Sequence, residues 1–206
     1  PLYSSAASDV YKRQIVTNPR LRLFWKTIMG NREAQQQYFS YFNEHYGSWL
    51  LQQNAVIKIN DVVFVHGGIS EAYSRWKLID LNNLIRKELD FYRGRLGGVY
   101  LEQPQFRPRL VYQSDSPLWF RDLALKDERT ALPMVIHILA NLNARTMVIA
   151  HTFSRGPYGS PIVDMTHMSR FRYPDGNGRI YIIDTGISSA YGGVPSALVF
   201  MDGRPI

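Results

Sequence analysis

Two short apolar runs, each closed by a histidine, constrain this chain more than any other feature. Val62-Val63-Phe64-Val65 leads into His66-Gly67-Gly68, and Thr146-Met147-Val148-Ile149-Ala150 leads into His151-Thr152. A short apolar run bounded by glycine or polar residues marks a strand buried in an α/β sheet. In such sheets ligands gather at the carboxyl ends of strands. The glycines after His66 let the backbone turn sharply beside it. A single histidine after a strand is more often a structural residue. Two in the same context point to a metal centre, because imidazole is the commonest metal ligand in proteins. The other three histidines lack this pattern. His45 lies in a helical stretch, His137 on an expected helix and His167 in a polar loop, and all three read as structural.

Composition narrows the chemistry. The 206 residues and 45% hydrophobic content allow one globular domain with a sizeable core, or most of a larger one. No run of eighteen apolar residues occurs, so no transmembrane helix is expected. The absence of cysteine excludes disulfides, thiolate metal sites and a cysteine nucleophile. Any metal must therefore be held by histidine, carboxylate or amide oxygen. A cytoplasmic location fits this composition. The net charge of +7 suits an anionic partner. The basic residues are scattered, with Arg93, Arg95, Arg107 and Arg109 the densest group. No nucleic-acid motif accompanies them, so a solvated face is the expected reading, and neither nucleic acid nor membrane is the expected partner.

Residues 1–14 resemble the translated adapter sequence that recurs at the ends of proteins read from assembled sequencing data. They lack the apolar core of a signal peptide. They are set apart, leaving residues 15–206 as the expected domain. Helices are expected over residues 21–29, 31–51, 80–92 and 132–142. The second carries an aromatic stripe (Tyr38, Phe39, Tyr41, Phe42, Tyr46, Trp49), which at helical spacing reads as core. Strands are expected at 55–59 and 62–66, joined by an Asn60-Asp61 turn, and at 146–151, 179–184 and 197–201. Residues 94–109 and 155–178 read as surface loops.

Further along, Asp115-Ser116-Pro117-Leu118-Trp119-Phe120-Arg121, Ile182-Ile183-Asp184-Thr185-Gly186-Ile187-Ser188 and Tyr191-Gly192-Gly193 complete an ordered set with the two histidine motifs. This set resembles the C-terminal half of the calcineurin-like metallophosphoesterases, and within them the bacterial Shewanella-like branch of phosphoprotein-phosphatase-type enzymes. The resemblance runs from about residue 18 to about residue 203. It implies an α/β fold, the C-terminal half of a four-layer α/β/β/α sandwich. His66 and His151 match metal ligands of the family's two-metal site; Ala150 stands where the family usually has glycine. Arg121 matches the arginine that contacts the substrate phosphate, a task suited to the paired donors of a guanidinium. Asp184 is expected to cap the turn at Gly186.

The family's N-terminal motifs (Gly-Asp-x-His, Gly-Asp-x-x-Asp and Gly-Asn-His-Glu) do not occur here. Gly30-Asn31-Arg32-Glu33 is a lookalike with arginine in place of the histidine. The chain thus reads as a fragment whose N-terminal half is missing, with one face of its sheet expected to be uncovered. The resemblance implies two divalent ions (Mn, Fe or Zn) in the intact enzyme, acting through a metal-activated hydroxide. The implied substrates are phosphomonoesters, either a phosphorylated protein (serine, threonine or tyrosine) or a small phosphoester. A symmetrical dinucleoside polyphosphate hydrolase and a non-catalytic phosphate-binding pseudophosphatase are the alternatives. Alone, the chain is expected to bind metal weakly and turn over little.

Overall fold

The structure, a computed structural model, describes residues 18–96, 109–153, 169–187, 195, 197–201 and 204–205. The adapter-like segment 1–14, His167, Tyr191-Gly192-Gly193 and most of the two surface loops lie outside the described residues. The chain divides into two compact units, residues 1–53 with 89–104 and residues 54–88 with 105–206.

The first unit is helical. Helices α1 (Pro19–Met29) and α2 (Arg32–Phe42) are followed by a π-helical turn (Asn43–Gly47) and the short α3 (Ser48–Leu50). Gly30 and Asn31 break α1 from α2. Asn31 is extended at φ −131, ψ 114, and its side chain accepts from the backbone N–H groups of Glu33 and Ala34 at 2.9 and 3.2 Å. The Asn31 of the lookalike motif is therefore a helix N-cap. The aromatic stripe does not form a core within this unit. Tyr41, Tyr46 and Trp49 are more than half exposed, and Tyr38 and Phe42 are exposed as well. Periodicity alone reports an amphipathic helix and not what covers its face. His45 is structural, stacked on Tyr41 at 3.9 Å with its Nδ1 on the Tyr41 carbonyl.

The second unit is an α/β layer. Strands β1 (Val56–Ile59), β2 (Val62–Val65), β3 (Thr146–Ile149), β4 (Ser169–Arg170) and β5 (Ile180–Ile182) form one mixed sheet in the order β1-β2-β3-β5-β4. Strands β2, β3 and β5 run parallel, while β1 and β4 pair antiparallel at the two edges. Every residue of β3 and β5 is buried, as parallel central strands require. Strands β6 (Phe200–Met201) and β7 (Arg204–Pro205) pair separately. Strand β4 falls inside the stretch expected to be loop; two residues are too few to show a period of two.

Two helices cover one face of the sheet. One is α4, spanning Leu78–Leu96, whose residues up to Glu88 belong to this unit. After the short α5 (Asp122–Leu125) comes α6 (Glu128–Asn141). The Asp127 carboxylate caps α6, accepting from Arg129 and Thr130 N–H. Ala131, Val135, Ile138 and Leu139 recur on one helical face and pack with Val63, Met147, Ile149, Ile180 and Ile182. Each valine, leucine, isoleucine or methionine among them contributes about 1.5–3 kcal/mol on removal from water. Buried Asn82 of α4 pairs with both the N–H and the C=O of Val56, at 3.0 and 2.8 Å, satisfying the free edge of β1.

The opposite face is not left open at its centre, contrary to expectation. Val62, Val148 and Tyr181 are buried there, with Phe64, Leu198 and Phe200 packed against them. Phe64 and Phe200 meet edge to face at 5.9 Å. The C-terminal segment supplies this cover. Among the described residues, no helix is long and apolar enough to cross a membrane.

Candidate functional site

The parallel register of β2 and β3 places the two histidines side by side. Val62, Val63 and Phe64 face Thr146, Met147 and Val148. Both strands end on the same line, and there the Ala150 N–H donates to the His66 carbonyl at 2.8 Å. His66 Nε2 lies 3.1 Å from His151 Nδ1.

His151 turns into this position at a backbone cost. Its φ is +57, a left-handed conformation that costs a non-glycine residue about 1–2 kcal/mol. Such outliers persist where the surrounding structure fixes them, and they cluster at functional sites. The Trp119 indole and the His151 ring meet edge to face, with centroids 5.0 Å apart and an interplanar angle of 86°. Trp119 is itself tethered by its Nε1–H to the Val111 carbonyl at 2.8 Å.

Gly67 and Gly68 let the strand end dock on the turn that carries Trp119. Both N–H groups donate to the Pro117 carbonyl, at 2.7 and 3.3 Å. A Cβ on Gly67 would lie 2.9 Å from backbone atoms of Pro117, Leu118 and Phe120. Gly68 has φ +146, a conformation that glycine tolerates. This docking brings the His-Gly-Gly and Pro-Leu-Trp-Phe-Arg segments together.

Arg121 follows directly from that turn and is half-buried. Its Nε and Nη2 both lie 3.3 Å from His151 Nε2. A cavity of about 220 Å³ beside it is lined by Ser114, Asp115, Trp119, Phe120 and Asp122 as well as Arg121. Asp122 is paired with Lys126 at 2.8 Å. Asp184 caps the turn as expected, accepting from the Gly186 N–H at 3.2 Å. His137 stands apart from the site, with Arg75 Nη2 at 3.4 Å. The structure thus brings together His66, His151 and Arg121, the three residues singled out from the sequence. Sequence reasoning gave no role to Trp119, whose only signal was its place two residues before Arg121.

Burial lowers the pKa of His66, with Asp184 opposing. Burial, then the neighbouring His66 and the Arg121 guanidinium, hold His151 down to about 4, with Asp184 again opposing. Both rings are neutral near pH 7 and carry lone pairs for a metal. Two nitrogens each about 2.1 Å from a tetrahedral ion lie about 3.4 Å apart, close to the 3.1 Å observed. The pair therefore fits as two ligands of one ion. Among the described residues, no group of three or more histidine, aspartate or glutamate side chains gathers, so they supply only part of a coordination shell.

The depressed pKa has a consequence for acid stability. Unfolded, His151 takes up its proton near its ordinary 6.5; folded, it does so only near 4. Between those values the unfolded state binds more protons. The metal-free protein should keep its full stability above about pH 6.5 and lose some of it as pH falls toward about 4. An NMR titration of the His151 ring should show a midpoint well below the ordinary histidine value of 6.5. A midpoint at that ordinary value would show that the site is open to water.

No family model matches this sequence. An uncharacterised protein of Schizosaccharomyces pombe is 28% identical over 136 residues, which is 66% of this chain and 34% of the relative. Among solved structures, the cold-active protein-tyrosine phosphatase of a psychrophilic Shewanella species aligns with a TM-score of 0.50 and 22% identity, over 77% of this chain and 41% of that one. A mutant cold-active protein tyrosine phosphatase aligns with a TM-score of 0.51 and the same identity and coverage. The chain has a phosphatase-like α/β fold and spans about a third to two fifths of the length of these proteins.

Proposed function

We propose that this chain is the histidine-bearing portion of a calcineurin-like metallophosphoesterase that hydrolyses phosphomonoesters, with phosphotyrosine, phosphoserine or phosphothreonine proteins as the substrate class. One observation carries the reading: two neutral imidazoles 3.1 Å apart at the carboxyl ends of parallel strands, with a guanidinium on one of them. The fold shared with cold-active protein tyrosine phosphatases is consistent with it.

In this reading His66 Nε2 and His151 Nδ1 hold a divalent ion (Mn, Fe or Zn). When bound, the ion supplies Lewis-acid polarisation of the phosphoryl group and activation of water. Arg121 presents its paired N–H donors to phosphate oxygens at the mouth of the cavity. Trp119 fixes the His151 ring and walls the cavity, excluding water from one side of it. Carboxylates from the N-terminal motifs of the family would complete the shell.

The scarcity of ligands among the described residues favours a second reading, a pseudophosphatase that holds phosphate through Arg121 without metal. Binding of Mn²⁺ to the 206-residue chain, followed by electron paramagnetic resonance, separates the two. Weak but saturable binding is expected, lost on His66→Ala and on His151→Ala and unchanged by His137→Ala. Phosphate binding that persists while no variant binds Mn²⁺ would establish the pseudophosphatase instead.

A further inference from the structure

The contacts of His151 specify more than a ligand. A guanidinium carries only donors, so His151 Nε2, with Arg121 Nε and Nη2 both at 3.3 Å, must act as the acceptor. In the neutral imidazole the ring proton then sits on Nδ1. It is donated to His66 Nε2 at 3.1 Å, which places the His66 proton on its own Nδ1. The three side chains form one directed chain, Arg121 to His151 to His66.

A divalent ion between the facing nitrogens reverses this arrangement. It needs lone pairs on His66 Nε2 and His151 Nδ1. The His151 proton must then move to Nε2, where it points at the Arg121 donors. Donor would face donor across 3.3 Å, beside a new positive charge. An ion seated on His151 Nε2 would evict the guanidinium directly. Under either geometry Arg121 has to leave His151. It is half-buried and lines the cavity of about 220 Å³, where a tetrahedral oxyanion can accept its fork.

We propose that Arg121 is a metal-released anion clamp: held on His151 in the metal-free protein, it becomes available to a phosphate-like oxyanion when the histidine pair takes up a divalent ion. Metal and anion binding are thereby coupled, and the coupling is reciprocal: an oxyanion that draws Arg121 away strengthens metal binding by the same factor. The device prevents Arg121 from capturing phosphate before the metal is in place. It rests on the metal reading of the histidine pair given above.

Two measurements on the 206-residue chain test it. The first reads the histidine tautomers of the metal-free protein by nitrogen-15 NMR. His151 should carry its proton on Nδ1, and Arg121→Gln should abolish that preference. A proton on Nε2 in the wild-type chain overturns the proposal without any metal being added. The second measures Mn²⁺ affinity by electron paramagnetic resonance in acetate buffer, with and without sulfate as the oxyanion. Sulfate should tighten Mn²⁺ binding by about 5- to 150-fold in the wild type. In Arg121→Gln the sulfate effect should vanish, and binding in acetate alone should be tighter than in the wild type. Arg121→Lys separates charge from the paired donors: it should bind Mn²⁺ in acetate more tightly than the wild type although its charge is kept. Equal affinities across all three proteins, with no sulfate effect, overturn the clamp while leaving the metal site standing. Failure of every variant to bind Mn²⁺ overturns the metal reading and the clamp with it.

Discussion

Gly67→Ala should destabilise the 206-residue chain by about 3 kcal/mol or more and separate His66 from His151. The added Cβ would stand 2.9 Å from three backbone atoms, the Pro117 oxygen, the Leu118 carbonyl carbon and the Phe120 nitrogen. Backbone has no rotamer to change, so one of the two segments must retreat. That retreat breaks the 2.7 Å bond from the Gly67 N–H to the Pro117 carbonyl, leaving the buried N–H unpaired. For a chain of this size the loss corresponds to a fall in Tm of roughly 6–12 °C. Gly176→Ala is the control. Unlike Gly67 it has a positive φ, +85, and a Cβ there meets nothing within 4 Å, so only the left-handed backbone cost of about 1 kcal/mol applies. Urea unfolding midpoints compare the two. If Gly67→Ala proves no more costly than Gly176→Ala, the docking of the strand end on the Pro117 turn does not govern the site.

That contact illustrates where sequence reading stops. The strands β2 and β3 were legible because burial on both faces forces a continuous apolar run, and their histidines stood out as the polar residues closing those runs. Arg121 was legible only through the resemblance of its motif. The contact between Gly67 and Pro117 is tertiary. Nothing in the local pattern of either segment encodes it, although two adjacent glycines signal that some close approach occurs. The φ of His151 was invisible for the same reason: histidine has no left-handed preference strong enough to predict it. The aromatic stripe from Tyr38 to Trp49 misled because amphipathicity says that a face is apolar and not what covers it. Bounds drifted where terminal residues carry no period. Helix α6 begins at Glu128, four residues before its expected start, because the Asp127 cap and not the apolar pattern sets its origin.

When the chain is extended by a segment bearing the family's three N-terminal motifs, His66→Ala or His151→Ala should lower metal-dependent hydrolysis of an aryl phosphate by several orders of magnitude. The two rings, whose facing nitrogens lie 3.1 Å apart, are the only imidazoles at the proposed metal site among the described residues, so neither can be replaced by a neighbour there. Loss of one removes Lewis-acid polarisation and water activation together, and neither effect has a substitute in a neutral side chain. Arg121→Ala should cost less, about 10²- to 10³-fold, since it removes charge stabilisation of the phosphoryl group while leaving the metal in place. His137→Ala should leave the rate unchanged, because His137 stands apart from the site beside Arg75. The 206-residue chain assayed alone with Mn²⁺ should show almost no turnover. Robust turnover by that chain would mean that its own carboxylates, Asp115 or Asp184 first among the described ones, supply the function assigned here to the N-terminal motifs. Activity in the extended protein that survives the loss of both histidines would mean that the metal sits elsewhere.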